Sequence, residues 1–256
     1  MKLWLVLLVA GFAPILLSQK TGRTDQKDKW VLAFGDEFDG TELDLHRWSP
    51  HEPFGHSRDR QMQAYAPEQL QVSGGQLHII ARHVDGISAS YDGQDRQYVS
   101  GLISTFGMFA QTYGKFEIRC RLPAGRGLRP AFVLMPLPSG ALPSIDVFQT
   151  TGDPAPKIFF GNHWGTEQTE RSYGNGLDAG DLSSSFHTIS MEWDREHITW
   201  FVDAREKFHS WDGVPHQPMY LMIDLAVGGR LAGAPDASTV LPASFDIDYV
   251  HVYRRP

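Results

Sequence analysis

The sequence predicts an all-β protein, an antiparallel β-sandwich with one curved sheet. Two observations carry that prediction. Short runs alternate apolar and polar residues with strict period two, and clusters of Gly, Pro, Asn and Asp separate them, the pattern of a sandwich or barrel. Beyond the N-terminal segment, no window of about 12 residues keeps a helical period.

The chain opens on Met1-Lys2 and an apolar run from Leu3 to Leu17. That run falls short of the ~20 residues a spanning helix needs. A basic start before a short apolar core reads as a secretory signal, assigned to residues 1–18. The small residues that favour cleavage are poorly placed around Ser18, so both a cleaved signal and a retained anchor stay open. Residues 19–29 read as a polar linker and residues 30–256 as the folded domain. The expected location is secreted, periplasmic or in the cell envelope.

Within that domain Leu77, Ile79 and Ala81 alternate with His78, Ile80 and Arg82. The clearest strand runs from Tyr113 to Leu122. Phe116, Ile118, Cys120 and Leu122 point one way, and Lys115, Glu117, Arg119 and Arg121 the other, so one side meets a core and one meets solvent. Ile189, Met191 and Trp193 repeat the pattern, as do Ile198, Trp200 and Val202. Phe245 to Tyr253 closes the chain as a last strand.

With 256 residues, 41% hydrophobic and 21% charged, the chain suits a packed domain rather than a disordered one. A net charge of −7 argues against nucleic acid, whose phosphates demand a basic surface, and fits a neutral polysaccharide. Cys120 is the sole cysteine, so no intramolecular disulfide forms. Its place on an apolar face predicts a buried, inert thiol.

Several segments recur in one known family, in order and at its spacing. They are Phe34-Gly35-Asp36-Glu37-Phe38-Asp39-Gly40 and Ser100-Gly101-Leu102-Ile103-Ser104-Thr105. Tyr113-Gly114-Lys115-Phe116-Glu117-Ile118-Arg119 and Leu122-Pro123-Ala124-Gly125-Arg126-Gly127-Leu128 with Pro130-Ala131-Phe132 follow. Pro218-Met219-Tyr220-Leu221 to Ala226-Val227-Gly228-Gly229 and Asp248-Tyr249-Val250-His251-Val252-Tyr253 end the series. From Trp30 to Tyr253 the chain resembles glycoside hydrolase family 16. The resemblance implies a jelly roll of the concanavalin A-like kind, with a concave glycan-binding sheet, no catalytic cofactor and a polysaccharide partner.

The family's catalytic strand reads Glu-Ile-Asp-x-x-Glu; here the matching segment is Ser144-Ile145-Asp146-Val147-Phe148-Gln149. The resemblance places Ser144 at the nucleophile position, Asp146 at the middle carboxylate and Gln149 at the acid/base. Positions i and i+5 of a regular strand face opposite ways, and the family corrects this with a β-bulge. Retaining hydrolysis needs two carboxyl groups about 5–5.5 Å apart. A serine hydroxyl is a poor nucleophile without a base, and a glutamine amide has no proton to give a leaving oxygen.

Other departures fall around the same place: Arg129 and Val133 stand where the family has tryptophans, and Arg60-Gln61 where it has Asn-Glu. The resemblance assigns substrate contacts to Gln63, Tyr65, His163 and Trp164. It also implies a structural calcium held by Glu37, Gly75 and Asp248, whose oxygen donors suit that ion. Three functions follow as alternatives. The first is an exported, catalytically defective binder of a β-glucan or galactan. The second is a divergent glycosidase or transglycosylase using relocated acids from Asp153, Glu167 and Glu170. The third is a structural envelope protein without a glycan site.

Overall fold

The computed structural model describes residues 29–53, 60–89, 95–137, 140–152, 156–166 and 168–256. The expected signal at 1–18, all of the linker but residue 29, and the acids Asp153 and Glu167 lie outside the described residues.

In chain order the strands are β1 (Val31–Asp36), β2 (Gln63–Tyr65), β3 (Leu70–Ser73), β4 (Gln76–Ala89), β5 (Asp95–Ser100), β6 (Leu102–Ser104), β7 (Gly114–Arg121) and β8 (Leu128–Pro136). They continue as β9 (Ser144–Thr150), β10 (Lys157–Trp164), β11 (Arg171–Asp178), β12 (His187–Trp193), β13 (Ile198–Val202), β14 (Arg205–Ser210), β15 (Met219–Val227) and β16 (Ala243–Arg254). Helical structure among the described residues is one four-residue turn of α-helix, Gly229–Ala232, and a 3-10 turn at Pro67–Gln69.

The strands form two sheets. The larger runs β14-β13-β12-β7-β16-β4-β5-β2, with β1 on β16 and β3 on β4; the smaller runs β11-β10-β9-β8-β15-β6. The expected antiparallel sandwich is thus found, with one departure: β2 pairs parallel to β5, Gln63 opposite Tyr98 and Tyr65 opposite Ser100. The three-residue β2 covers an edge that β5 would otherwise expose.

The core follows from period two. Along β7 buried and half-buried residues alternate at every position, and Phe116, Ile118 and Cys120 enter the core. They meet Ile189, Met191 and Trp193 of β12 and Phe245, Ile247, Val250 and Val252 of β16. The smaller sheet answers with Phe132 and Leu134 of β8, Ile145, Val147 and Phe148 of β9, and Leu221, Ile223 and Leu225 of β15. Phe148 meets Phe245 across the layers, edge to face, with ring centroids 6.2 Å apart. Cys120 is buried as expected, and burial pushes its thiol well above the ordinary range, which leaves it unreactive.

Candidate functional site

The smaller sheet carries the site on the face turned away from the core, and β9 supplies its centre. Against β8, Phe148 lies opposite Phe132 and Asp146 opposite Val133; against β10, Gln149 lies opposite Phe159 and Asp146 opposite Gly161. Val147 is skipped in both registers, which is a β-bulge. Val147 and Phe148 therefore both enter the core, and Ser144, Asp146 and Gln149 all line one cleft of about 470 Å³. That volume is within the range of small-ligand sites. The strand is fixed from behind: buried Trp200 of β13 donates its indole N–H to the Asp146 carbonyl at 2.8 Å.

Two polar groups meet over an apolar floor of Ala131, Val133, Met135 and Met222. In the first, His163 Nε2 lies 3.1 Å from Asp146 Oδ2, and its Nδ1 lies 3.1 Å from Glu170 Oε1. Two carboxylate acceptors suit the doubly protonated ring. The hydrogen bond to Asp146 raises the His163 pKa, against an opposing desolvation, with Glu170 adding to the rise. In the second, the Tyr65 hydroxyl donates to Asp224 Oδ2 at 2.5 Å, and Arg129 Nη1 donates to Gln149 Oε1 at 3.2 Å. Asp224 is only 5% exposed, and desolvation raises its pKa although Arg129 and Tyr65 favour the anion. Burial, then Asp224, raises the Tyr65 phenol well above its ordinary value.

Tyr65 and His163 sit in the cleft as the sequence suggests; Gln63 and Trp164 do not. Gln63 is 1% exposed: its Oε1 accepts from the Val227 N–H at 2.8 Å and its Nε2 donates to Gln61 Oε1 at 2.9 Å. It holds β2 against β15, and its neighbour Gln61 reaches the cleft instead. Trp164 follows His163 on β10 and so faces the other way. Its ring lies on Gly213, where an added Cβ would come within 2.0 Å of it. Asn162, on the same face, ties that loop by donating to the carbonyls of Asp212 at 2.6 Å and Gly213 at 3.0 Å.

Asp248 is ion-paired with Arg119, and Glu37 accepts from His251 Nε2 at 2.5 Å. The side chain near Gly75 is Asp39, whose Oδ1 lies 3.8 Å from where a Cβ would stand. Among the described residues no group of three or more His, Cys, Asp or Glu side chains is placed to hold a metal. In this arrangement the two carboxylates of the expected calcium set are engaged by a guanidinium and an imidazole.

Sequence reasoning missed Asp224. A signal was present: along Met219–Val227 the period-two pattern puts Tyr220, Met222 and Asp224 on one face and Leu221, Ile223 and Leu225 in the core. A lone acid on the non-core face of a buried strand marks a lined site. Glu52 also lines the cleft, from the loop before β2, where no periodicity points to it.

A two-layer β-sandwich with a cleft over one sheet, floored by apolar residues and edged by carboxyl, amide and imidazole groups, is the architecture of a carbohydrate-active protein. The chain belongs to glycosyl hydrolases family 16, whose profile matches residues 59–250. It is similar to the endo-1,3-1,4-β-glycanase ExsH of Rhizobium meliloti (strain 1021), 35% identical over 184 residues, which cover 71% of this chain and 39% of that one. It is similar to a β-glucanase of Rhodothermus marinus, 33% identical over 265 residues, covering 91% of this chain and 88% of that one. The chain thus spans well under half the length of ExsH and most of the Rhodothermus protein. Among solved structures it resembles a glutamate-to-serine mutant of SCLam, a non-specific endo-β-1,3(4)-glucanase of family 16 (TM-score 0.78, 26% identity, covering 89% of this chain and 95% of that one). That mutant was co-crystallised with 1,3-β-D-cellotriosyl-glucose and presents 1,3-β-D-cellobiosyl-glucose at its active site.

Proposed function

We propose that this protein is exported and binds a β-glucan in the β8–β9–β15 cleft, and that it does not perform the family's two-step hydrolysis. One observation carries the reading. The bulge at Val147 turns Ser144, Asp146 and Gln149 into the same cleft. A hydroxyl and an amide therefore occupy the two places where the family resemblance puts nucleophile and acid/base. Neither forms the covalent intermediate or protonates a leaving oxygen, while both hydrogen-bond sugar hydroxyls. The SCLam mutant supports retention of binding: a family 16 fold with serine in place of a glutamate holds a glucan oligosaccharide. The Asp146–His163–Glu170 chain is then a positioned acceptor and donor set for the ligand.

A second reading, hydrolysis with relocated acids, is favoured by Glu170 and Asp224, carboxyl groups that line the cleft outside β9. Affinity electrophoresis in laminarin and mixed-linkage β-glucan, run beside a reducing-sugar assay, decides among the readings. Retardation without sugar release is the expected result. Turnover that disappears in Glu170→Gln or Asp224→Asn would establish the second reading. Unretarded migration in every glycan would leave a structural envelope role.

A further inference from the structure

We infer that Asp224, with Arg129 and Gln149, forms a subsite that reads adjacent hydroxyls of a neutral hexose, and that the cleft excludes sulfated and uronic-acid polysaccharides. The inference rests on the binding reading above and narrows its ligand class.

The subsite follows from register. Asp224 lies opposite Ala131, and Ala131 lies opposite Gln149, so the three form one row across β15, β8 and β9. With strands about 4.8 Å apart, Asp224 and Gln149 stand roughly 9–10 Å apart at the backbone. Ala131 between them is the smallest side chain of the floor and leaves the gap open above it. Arg129, the previous same-face position on β8, closes one end by donating to Gln149.

The chemistry is that of a diol reader. An ionised carboxylate offers about four acceptor sites, and Tyr65 uses one of them on Asp224. Asp224 supplies acceptors, the Gln149 amide both a donor and an acceptor, and Ala131 and Val133 an apolar bed for the ring face. Burial of the Asp224 carboxylate is costly and raises its pKa, and Arg129 and Tyr65 offset that cost in part. Hydroxyl donors arriving with a sugar would relieve that cost.

The charge balance selects against anions. Among the described residues four carboxyl groups line the cleft, Glu52, Asp146, Glu170 and Asp224, against one guanidinium, Arg129, and one imidazole, His163. A sulfate or uronate entering this space meets like charge in a partly desolvated site, where repulsion is stronger than in water. A neutral glucan does not.

The test is titration calorimetry of the full chain with laminarihexaose, a mixed-linkage β-glucan oligosaccharide and κ-carrageenan oligosaccharides. The expected results are binding of the neutral glucans, none of the sulfated galactan, and a loss of at least tenfold in Asp224→Asn with no fall in thermal midpoint. Asp224→Asn within twofold of the parent, or carrageenan binding as tightly as laminarihexaose, overturns the inference. If in addition Gln149→Ala and His163→Ala weaken glucan binding, the cleft reading stands without the Asp224 subsite. A parent that binds no glucan overturns both.

Discussion

Ser144 and Gln149 are five residues apart on one strand, yet both line the same cleft. In a regular strand they would face opposite ways. The residue that changes this is Val147, absorbed into the core without a partner in either neighbouring strand.

If the cleft binds without hydrolysing, as proposed, the bulge predicts that two substitutions confer hydrolysis. Ser144→Glu with Gln149→Glu returns two carboxyl groups to one face with the spacing intact. Sugar release from laminarin is expected in the double variant and absent in the parent. The Ser144→Glu single variant is expected to be slower than the double by roughly 10²–10⁴, the usual worth of a general acid. Deleting Val147 from the double variant should abolish the activity, because it turns position 149 into the core.

Two groups set a common pH trend. His163 has a raised pKa, so its protonated form is preferred in the fold. That contribution is complete below its unfolded value, about 6.5, and is lost as pH rises through the folded value. Asp224 also has a raised pKa, so stability falls as pH rises from about 3.9 through its folded value. Above pH about 3.9 the thermal midpoint is therefore expected to decline in two stages, whereas below it aspartates with lowered pKa, such as Asp246, work the opposite way. His163→Gln should remove the upper stage and Asp224→Asn the lower. A midpoint that rises over both windows contradicts the assignment.

Trp200 is expected to matter to the site without touching it. Its indole N–H anchors the Asp146 carbonyl, and its ring packs beside Phe208 and Phe160. Trp200→Phe loses a buried hydrogen bond and leaves a void, together roughly 2–4 kcal/mol by denaturant unfolding. Glucan affinity should fall with it, because the strand that presents Ser144, Asp146 and Gln149 loses its rear support.

Gly213 gives the opposite case. It has φ +60°, and an added Cβ would strike the Trp164 ring. Gly213→Ala is expected to cost about 2–4 kcal/mol from overpacking and backbone strain. Glucan affinity should stay within twofold, since Trp164 faces away from the cleft. A selective loss of affinity with stability unchanged would return Trp164 to the binding site.

Much of this was legible in the sequence. Period two along Gly114–Arg121, His187–Trp193 and Ile198–Val202 determines which residues are core, because a pleated strand leaves its side chains no other choice. The spacing of Ser144, Asp146 and Gln149, read with the family resemblance, already anticipates a bulge. These properties are local, and a chain states them without folding.

The tertiary structure decided what depends on distant partners. Gln63 and Trp164 are side-chain types that suit a sugar site, but Val227 and Gly213, 164 and 49 positions away along the chain, claim them. Asp248 and Glu37 have calcium's preferred oxygens, but Arg119 and His251 reach them. Asp224 reads as one polar residue in an apolar strand until pairing with β8 sets it in a row with Ala131 and Gln149 and folding brings Tyr65 to its carboxylate. Sequence determines which face a side chain takes; only the register between strands and the packing of loops decides what it finds there.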